Sequence, residues 1–301
     1  AYEITYGDWS SDVCSSDLAI GAAVAEPAAG ALAVDVVLPL VHGPYGEDGT
    51  LQGLLELAGL PYVGSGVLGS AVGMDKAMMK RALVAAGIPV AAWREHRDGD
   101  DPEATCDAAI AELGLPLFVK PANMGSSVGV SKAHDRDELC RALELALTYD
   151  EWVVIEEAID GREIEVSVLG DLHPEASRPG EIVPGAEFYT YADKYEDGAA
   201  QLIAPADLTP DEEATVRALA VDAFRACRLE GMARVDFFLA TGGRGFLVNE
   251  VNTIPGFTPI SMYPRLWEVS GLDYPALLDR LIDLALERHA RRAARAGRGR
   301  D

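Results

Sequence analysis

Two short segments in the C-terminal part of the chain carry acidic, amide and guanidinium side chains at alternate positions. Arg234 and Asp236 are separated by one residue, and so are Glu250 and Asn252. Because side chains alternate between the two faces of a strand, each pair lies on one face. Two carboxylates and an amide offer only oxygen ligands, which suit Mg²⁺ shared with substrate phosphates. The segments therefore predict a magnesium site that works on a phosphorylated ligand.

The register of the hairpin formed by these segments decides whether the four side chains meet. A loop of three residues, 242–244, would place Asp236 opposite Glu250. The same register puts Arg234 opposite Asn252, whereas a two-residue loop would send the carboxylates to opposite faces. The residues between these positions are strongly apolar. We therefore expect a buried hairpin whose acids have partners, rather than a solvated sheet face.

A glycine- and serine-rich loop follows a predicted strand that ends at Lys120. Residues 125–129 read Gly-Ser-Ser-Val-Gly, and such small residues expose backbone N–H groups that can wrap an anion. The same residues match the G-x-S-x-G motif of the nucleophile elbow in hydrolases, which requires a strand followed by a turn and a helix. Here the loop leads into the extended segment 128–132. The pattern thus favours a hairpin tip that covers a phosphate, with Lys120 over the same anion.

Three other segments are weaker candidates. The loop 252–261 contains two prolines and a glycine, and it can aim the Gly256 N–H and the Ser261 hydroxyl at a ligand. His42 lies in a loop of glycine, proline and acids, where a structural and a catalytic role are equally compatible with the pattern. Residues 64–69 match G-x-G-x-x-G, but no acid ends a second strand about 20 residues later. Glycines at a tight turn are the favoured interpretation there.

The elements that must position these residues alternate between helix and strand, which is typical of an α/β or α+β protein. Thr50 is predicted to cap the first helix, and Asp135 with Glu138 to form a capping box. The long segment 178–198 has little regular signal and is predicted to be a functional loop. Predicted strands cover 34–40, 61–63, 90–93, 115–120, 128–132, 152–156, 163–169, 234–239 and 245–251, and predicted helices cover 50–58, 70–86, 103–113, 139–147, 211–227 and 274–288.

Composition excludes several classes of protein. The 301 residues carry a net charge of −24, which argues against nucleic-acid binding. No run of 18 apolar residues occurs, so no membrane span is expected, and four scattered cysteines predict a reduced, cytoplasmic protein. Only five basic residues are lysines, which suggests that each has a specific role. They are Lys76, Lys80, Lys120, Lys132 and Lys194.

The first 18 residues have no helical or strand period. Residues 12–18 read Asp-Val-Cys-Ser-Ser-Asp-Leu, which is what one frame of a common sequencing adapter encodes. We therefore expect residues 1–18 not to be native, and we assign them no function.

Six motifs, taken in order, resemble the D-alanine–D-alanine ligases of the ATP-grasp superfamily over about residues 34–288. The last motif is the most specific one. They are His-Gly-Pro-Tyr-Gly-Glu-Asp-Gly (42–49), Met-Asp-Lys-x-x-x-Lys (74–80), Val-Lys-Pro (119–121), Gly-Ser-Ser-Val-Gly (125–129), Arg-Val-Asp (234–236) and Asn-Glu-Val-Asn-Thr-Ile-Pro-Gly (249–256).

The resemblance implies a three-domain ATP-grasp fold, an α/β (α+β) architecture with a truncated N-terminal α/β domain. The implied divisions are an N-terminal substrate domain at 1–64, a central ATP-grasp domain at 65–158, a C-terminal catalytic domain at 159–290 and an Arg-rich tail at 291–301. The family begins with a strand, a Gly-rich turn and an acid that binds the ammonium of the first D-alanine. No such pattern precedes Val34.

The resemblance also assigns residues to roles. ATP contacts are implied for Lys76, Lys120, Ser127, Glu156, Glu157, Ile159, Glu163, Lys194 and Phe238. Two Mg²⁺ ions, with Mn²⁺ as an alternative, are implied at Asp236, Glu250 and Asn252. Catalytic roles are implied for Ser126, Tyr195, Arg234, Gly256 and His42, and substrate binding for Ser261 and Asn252.

The implied reaction joins two D-alanines through an acyl phosphate, for peptidoglycan precursor synthesis. Arg234 and the Gly256 N–H would form an oxyanion hole, and Tyr195 in the mobile loop would favour an amine acceptor. The resemblance implies D-alanine and ATP as the small-molecule partners, and a homodimer. Two alternatives stay open: another ATP-grasp carboxylate–amine ligase, and an ATP-binding protein inactive through loss of its N-terminal substrate site.

Overall fold

The computed structural model describes residues 34–183, 201–258 and 261–295, and their elements belong to one compact unit, Val36–Asp301. The elements are numbered as helices α1 to α8 and strands β1 to β10, and the strands form two antiparallel sheets. The helices are α1 Thr50–Ala58, α2 Val67–Met74, α3 Lys76–Ala85, α4 Pro102–Leu113, α5 Arg136–Leu147, α6 Pro210–Ala226, α7 Met262–Val269 and α8 Tyr274–Ala293. The strands are β1 Trp93–Arg97, β2 Leu117–Pro121, β3 Ser131–Ala133, β4 Trp152–Glu157, β5 Gly161–Gly170, β6 Glu175–Ala176, β7 Gly180–Val183, β8 Gln201–Ile203, β9 Gly231–Ala240 and β10 Gly245–Asn252.

The first sheet has four strands in the order β1-β4-β2-β3. Alternate residues of its central strands, such as Val119 and Ile155, are fully buried in a cluster with Leu139 and Leu143 of α5 and with residues of α4. The opposite face of the same strands carries Lys120 and the buried Glu156. The two-residue period of β2 and β4 therefore packs one face against helices and presents the other to the ligand site.

The second sheet has six strands: β10-β9-β5-β7-β8, with β6 paired to β5. One face is a large apolar cluster in which Val166 and Val235 pack against α3 and α6. The other face of β5 and β9 carries the polar residues Glu165, Arg234 and Asp236. The connection 158–160 joins β4 of the first sheet to β5 of the second.

The predicted strand 34–40 is wrong. The structure has only an isolated parallel bridge between Val37 and Tyr62, closed by hydrogen bonds from Val37 N to Pro61 O and from Val63 N to Val37 O. Pro39 has no N–H and ends any further pairing along this segment. The predicted strand 61–63 is reduced to the same bridge.

The predicted helix 70–86 is two helices, α2 and α3. Asp75 between them is extended, with φ −76° and ψ 106°, and its carboxylate accepts from Met78 N at 2.9 Å. Asp75 is an acidic N-cap, so α3 begins here as a new helix instead of continuing α2. Thr50 is not a cap either, because Gly49 occupies that position and Thr50 is the first residue of α1.

The predicted capping box at Asp135 is only half formed. Asp135 Oδ1 accepts from Glu138 N at 2.8 Å, but Glu138 Oε2 accepts from His134 N rather than from the Asp135 backbone. A complete capping box exists instead at the start of α6, between Thr209 and Glu212. Within the predicted irregular segment 178–198, β7 forms a strand at its beginning.

The hairpin of β9 and β10 has the predicted register, but its loop differs from the predicted one and a bulge follows it. Its loop has four residues rather than three, because Gly245 pairs with Ala240. A bulge between Val248 and Glu250 then shifts the register by one residue, which brings Glu250 opposite Asp236. The longer loop and the bulge compensate, so the predicted pairing is confirmed although the predicted loop is wrong.

Helix α8 continues to Ala293, beyond the predicted end at 288. Arg288 is 3% exposed and donates to the carbonyls of Tyr62 and Gly64, with its guanidinium 4.4 Å from the Tyr62 ring centre. Arg292 pairs with Glu56 and with Glu230, each at 2.5 Å. These arginines fix the end of α8 against the segment that carries the Val37–Tyr62 bridge. Among the helices of the described residues, none combines the length and apolar character that crossing a membrane requires.

Candidate active site

Lys120 connects the two sheets. Its Nζ lies 2.9 Å from Glu156 Oε2 on β4 and donates at 3.1 Å to Asn249 Oδ1 on β10. Asn249 is the residue of the β10 bulge, so the irregularity that sets the register also aims this amide at Lys120. The Lys120 side chain is 13% exposed, which keeps its charge in a largely desolvated space between the sheets. A cation at this position suits a phosphate group.

Glu156 holds a second lysine. Lys80 Nζ lies 3.4 Å from Glu156 Oε1, and both side chains are almost fully buried. Burial raises the pKa of Glu156, but Lys120 and Lys80 outweigh it and bring the pKa below its usual value. Glu156 is therefore an ionised carboxylate between two ammonium groups. Lys80 follows Lys76 by one helical turn in the same motif, and this spacing was the available signal for a site residue that the sequence analysis did not assign.

We expect Lys80→Met to leave Glu156 with a single cationic partner in a desolvated space. The free energy of unfolding should fall by about 3 kcal/mol, the usual cost of breaking a buried ion pair. The urea midpoint measures this effect, with Lys132→Met on β3 as the control because Lys132 is only half-buried. Equal midpoints for the two variants would contradict a buried ion pair at Lys80.

Lys76 lies where α3 meets the glycine-rich loop. Its Nζ donates to Met124 O at 2.7 Å, and burial lowers the pKa of this ammonium while Glu250 opposes the change. The loop is the tip of the β2–β3 hairpin, as predicted, although β3 begins only at Ser131. Ser126 and Ser127 have φ values of 52° and 59°, and Val128 N donates to Gly125 O at 3.1 Å, so they form a tight turn of the kind whose backbone N–H groups can bind an anion. The geometry favours an anion cradle beside Lys76 and gives no helix start for a nucleophile elbow.

On the second sheet, Arg234 and Asp236 form a bidentate pair. Arg234 Nε reaches Asp236 Oδ1 and Arg234 Nη2 reaches Asp236 Oδ2, each at 2.7 Å. Glu165 Oε2 lies 3.3 Å from the same Nε. Burial lowers the pKa of Arg234, but Asp236 and Glu165 raise it well above its usual value. The guanidinium is thus held as a permanent charge on the sheet face.

The predicted ligands of magnesium converge on this face. Asn252 Nδ2 donates to Asp236 Oδ2 at 2.9 Å, and Glu250 is opposite Asp236 in the register. No group of three or more His, Cys, Asp or Glu side chains with metal-binding geometry occurs in the parts of the chain that the structure describes. Two carboxylates and one amide fit a cation that takes its remaining ligands from a phosphate.

Glu47, which the sequence analysis did not assign, is buried beside these groups. Its Oε2 accepts from Gly43 N at 2.6 Å and its Oε1 from Ile254 N at 3.3 Å, so it joins the His42 loop to the segment that follows Asn252. Burial raises the pKa of Glu47 to about 7, against its two backbone hydrogen bonds. One of these hydrogen bonds is local and the other joins residues 207 positions apart, so only its place in the 42–49 motif could have pointed to Glu47.

The raised pKa of Glu47 predicts a pH dependence of stability. An acid whose pKa rises from 4.5 to about 7 on folding stabilises the protein below pH 4.5, and this contribution is lost as the pH rises through 7. Glu47→Gln cannot ionise, so its free energy of unfolding relative to wild type should increase by up to about 3 kcal/mol between pH 4.5 and 7.5. Urea titrations of both proteins at each pH measure the difference, and a pH-independent difference would contradict the pKa.

His42 is positioned by the same loop. Partial burial lowers the pKa of His42, and a backbone hydrogen bond with Ile254 opposes the shift while Arg234 adds to it. The neutral ring is therefore favoured near Arg234. The predicted loop at 252–261 brings Gly256 next to Ser261, because a Cβ added to Gly256 would lie 2.7 Å from Ser261 Oγ. Ser261 Oγ accepts from Thr258 N at 3.0 Å, which ties the loop to the start of α7.

The remaining predicted ATP contacts lie around the 158–160 connection. The Glu157 carboxylate accepts from Arg244 at 2.7 and 2.9 Å and from Ala92 N at 2.8 Å, so its side chain fastens β4 to the β9–β10 loop. Ile159 is half-buried in the connection itself. Glu163 and Phe238 are direct partners in the β5–β9 register, on the face that carries Asp236. Lys194 and Tyr195 lie outside the described residues.

The G-x-G-x-x-G segment is a packing motif, as favoured above. Gly64 has φ 94°, and Gly66 precedes the first residue of α2. A Cβ on Gly69 would lie 2.6 Å from Arg228 O, and one on Gly73 would lie 2.5 Å from Thr253 Cγ2. The missing side chains at Gly69 and Gly73 let α2 approach Arg228 and the segment that follows Asn252.

Two antiparallel sheets are bridged by Lys120, and acidic side chains lie on a face of the second sheet. This arrangement defines an ATP-grasp enzyme, a class in which the nucleotide lies between the sheets. Comparisons with known proteins agree. The family described as D-ala D-ala ligase C-terminus matches residues 82–283, and the family described as D-ala D-ala ligase N-terminus matches residues 14–65.

Curated relatives and solved structures give the same result. A D-alanine–D-alanine ligase of Geobacillus thermodenitrificans is 54% identical over 261 residues, covering 85% of this chain and 71% of the relative. One from Solibacter usitatus is 54% identical over 256 residues, covering 85% and 78%. The structure of the ligase from Coxiella burnetii has a TM-score of 0.79 at 44% identity, over 87% of this chain and 70% of that one. The VanG D-Ala:D-Ser ligase of Enterococcus faecalis has a TM-score of 0.78 at 39% identity, over 84% and 74%.

The chain belongs to the D-alanine–D-alanine ligase family. Members of this family are ATP-dependent, ADP-forming ligases that make D-alanyl-D-alanine for peptidoglycan, and they use a divalent metal with ATP.

Proposed function

We propose that this chain joins two D-alanines through an acyl phosphate formed between its two sheets. The observation that carries the proposal is the position of Lys120, which reaches from Glu156 on the first sheet to Asn249 on the second. This contact supports a single space around which the predicted phosphate lysines and the predicted acidic ligands would lie. A nucleotide held there would have its phosphates between the cations of one sheet and the carboxylates of the other.

In the first step, a carboxylate oxygen of one D-alanine attacks the γ-phosphorus of ATP, and ADP leaves with the electrons of the broken P–O bond. Lys76 and Lys120 offset the negative charge of the phosphoryl group during this transfer. The backbone N–H groups of Ser126 and Ser127 cover the same group. The loop thereby excludes water, which would otherwise hydrolyse the acyl phosphate.

In the second step, the amine of the other D-alanine attacks the acyl carbon, and phosphate leaves. We propose that Arg234 and the Gly256 N–H stabilise the oxyanion that develops on this carbon. Two nitrogens of Arg234 are fixed by Asp236, so its position is set before substrate binds. The Ser261 hydroxyl, beside Gly256, is proposed to bind a substrate carboxylate, and His42 near Arg234 to act as an uncharged hydrogen-bonding group.

Asp236, Glu250 and Asn252 are proposed to hold two Mg²⁺ ions, with Mn²⁺ as a substitute. When bound, such ions would neutralise charge on the transferred phosphoryl group. The donor set supports the assignment, since Asp236 and Glu250 are opposite each other and Asn252 contacts Asp236. Because Arg234 already contacts both oxygens of Asp236, the guanidinium orients this ligand toward one side.

The remaining assignments are also proposals. We place the adenine at the 158–160 connection near Glu156, Glu157 and Ile159, and the ribose at Glu163 with Phe238 beside it. Domain boundaries at 64/65 and 158/159 are proposed, and the second agrees with the connection between the two sheets. Lys194 and Tyr195 are proposed to close over the site, and the enzyme to act as a cytoplasmic homodimer.

The identity of the acceptor is the specific alternative. A structural relative at 39% identity is a D-Ala:D-Ser ligase, so this fold accommodates a second acceptor. An ATP-binding protein without turnover is the other alternative.

ADP release measured with and without each amino acid separates these alternatives. We expect ADP release only when D-alanine is present, with D-alanyl-D-alanine detected by mass spectrometry in equal amount. Faster release with D-serine, together with D-alanyl-D-serine as product, would move the assignment to the second acceptor. ATP binding by calorimetry without ADP release under any condition would favour the inactive protein. L-Alanine is the matched control and should not stimulate release.

A further inference from the structure

Two cysteines face each other between the helices that cover the first sheet. Cys106 on α4 and Cys140 on α5 have their Sγ atoms 2.7 Å apart. Since the S–S bond of a disulfide is about 2.05 Å long, a small side-chain movement would suffice to form it. The pair lies on the helix-covered face of the sheet, opposite the face that carries Lys120 and Glu156.

The two thiols have different surroundings. Cys106 is fully buried, and burial with the neighbouring Cys140 raises its pKa to about 12. Cys140 is half-buried, and Arg136 Nη1 lies 4.0 Å from its Sγ. Partial exposure lets a small oxidant reach the Cys140 sulfur, whereas Cys106 is closed off from solvent. Cys140 is therefore the thiol that a dissolved oxidant can reach. Cys106 is buried against Cys140 and can react with the oxidised Cys140 sulfur.

We propose that Cys106 and Cys140 form a reversible disulfide when a hydroperoxide reaches the protein. The Cys140 sulfur attacks one oxygen of hydrogen peroxide, the O–O bond breaks, and the departing hydroxide takes the proton that Cys140 loses and becomes water. Cys140 is then a sulfenic acid. The Cys106 sulfur attacks the Cys140 sulfur and loses its proton, and the expelled hydroxide takes that proton to form a second water. Two electrons pass from the thiols to the peroxide, and a dithiol reagent reverses the change.

The bond would fasten α4 to α5 without touching the nucleotide face. The cysteines are 34 residues apart in sequence, so the link constrains a long loop of the unfolded chain. We expect the melting temperature of the oxidised protein to rise by roughly 5 °C. The inference concerns a modification of the helix layer and does not depend on the proposed function.

The test treats the full chain with a small excess of hydrogen peroxide, blocks free thiols, and maps tryptic peptides by mass spectrometry. Pro121 prevents cleavage after Lys120, so the expected cross-link joins peptide 98–132 to peptide 137–141. Dithiothreitol should release the two peptides. Mapping separates this bond from any that involves Cys14.

Three variants decide the outcome. Cys106→Ser should lose the cross-link and accumulate a sulfenic acid on Cys140, which dimedone traps. Cys140→Ser should lose the cross-link and leave Cys106 reduced, whereas Cys227→Ala should keep both the cross-link and the rise in melting temperature. Sulfenic or sulfinic acid on Cys140 of the wild type without a cross-link, or oxidation of Cys106 in Cys140→Ser, would overturn the proposal.

Discussion

Lys120→Met should lower kcat/KM for ATP by about 10³-fold, because the variant loses the cation that lies between the two sheets. The same change leaves Glu156 with Lys80 alone and removes the hydrogen bond to Asn249. Steady-state kinetics with saturating D-alanine measures the effect. The unfolding midpoint should be measured in parallel, so that a loss of fold is not mistaken for a loss of catalysis.

Lys132→Met is the matched control for Lys120→Met. Both ammonium groups lie near the same ring, with Lys120 Nζ 5.9 Å and Lys132 Nζ 5.7 Å from the centre of Phe118. Lys120 in addition contacts the second sheet through Asn249. We expect Lys132→Met to change kcat/KM by less than about threefold, since Lys132 is half-buried on β3 and has no proposed role at the phosphates. Equal losses in both variants would show that Lys120 has no special role.

Arg234→Lys should lower kcat by about 10²-fold while the protein stays folded. Lysine keeps the charge but cannot hold Asp236 through two parallel hydrogen bonds and still present a donor to the substrate. Because Arg234 is proposed to act on the oxyanion, the loss should fall on kcat more than on KM for ATP. Rapid-quench measurement of dipeptide formation separates this step from product release.

Arg162→Lys provides the control for that variant. Arg162 on β5 binds Glu181 through the same two nitrogens, at 2.8 and 2.6 Å, but more than a third of its side chain is exposed. We expect its kcat to remain within about twofold of wild type, because Arg162 lies on the face of β5 opposite Glu163 and Glu165 and is screened by solvent. If Arg162→Lys were as slow as Arg234→Lys, the effect would come from the sheet and not from the site.

The local patterns in the sequence predicted more of the fold than of the contacts. Alternation of apolar and polar residues located β4, β5, β9 and β10 to within a few residues, because one face of each is buried. The break at Asp75 was missed because residues 70–86 keep a continuous helical pattern across it. An aspartate that caps a new helix looks the same in sequence as one on the surface of a long helix.

The part of the site that depends on strand alternation and pairing was predicted from the sequence. The pairing of Asp236 with Glu250 follows from side-chain alternation plus a register, and the register depends on the bulge at Asn249. No glycine or proline marks that bulge, so the sequence pointed to a shorter loop instead. The structure also shows what the bulge does, since it turns Asn249 toward Lys120.

The contacts of Glu47 with Ile254 and of Lys80 with Glu156 could not be predicted from local pattern, because these partners are distant in the chain. Glu47 accepts from Ile254, 207 residues later, and Lys80 on helix α3 pairs with Glu156 on strand β4. Each contact depends on how helices and sheets pack, and a single sequence does not report it. What the sequence did contain was the scarcity of lysine, and Lys76, Lys80 and Lys120 all lie at the space between the sheets.

The central claim is that a D-alanine carboxylate is phosphorylated before the amide forms, and oxygen transfer tests it most directly. D-Alanine labelled with ¹⁸O in both carboxyl oxygens should give inorganic phosphate that carries one ¹⁸O atom for each dipeptide formed. ADP release should fall to background when D-alanine is omitted. Dipeptide formed together with unlabelled phosphate, or ADP release that does not depend on D-alanine, would contradict the account.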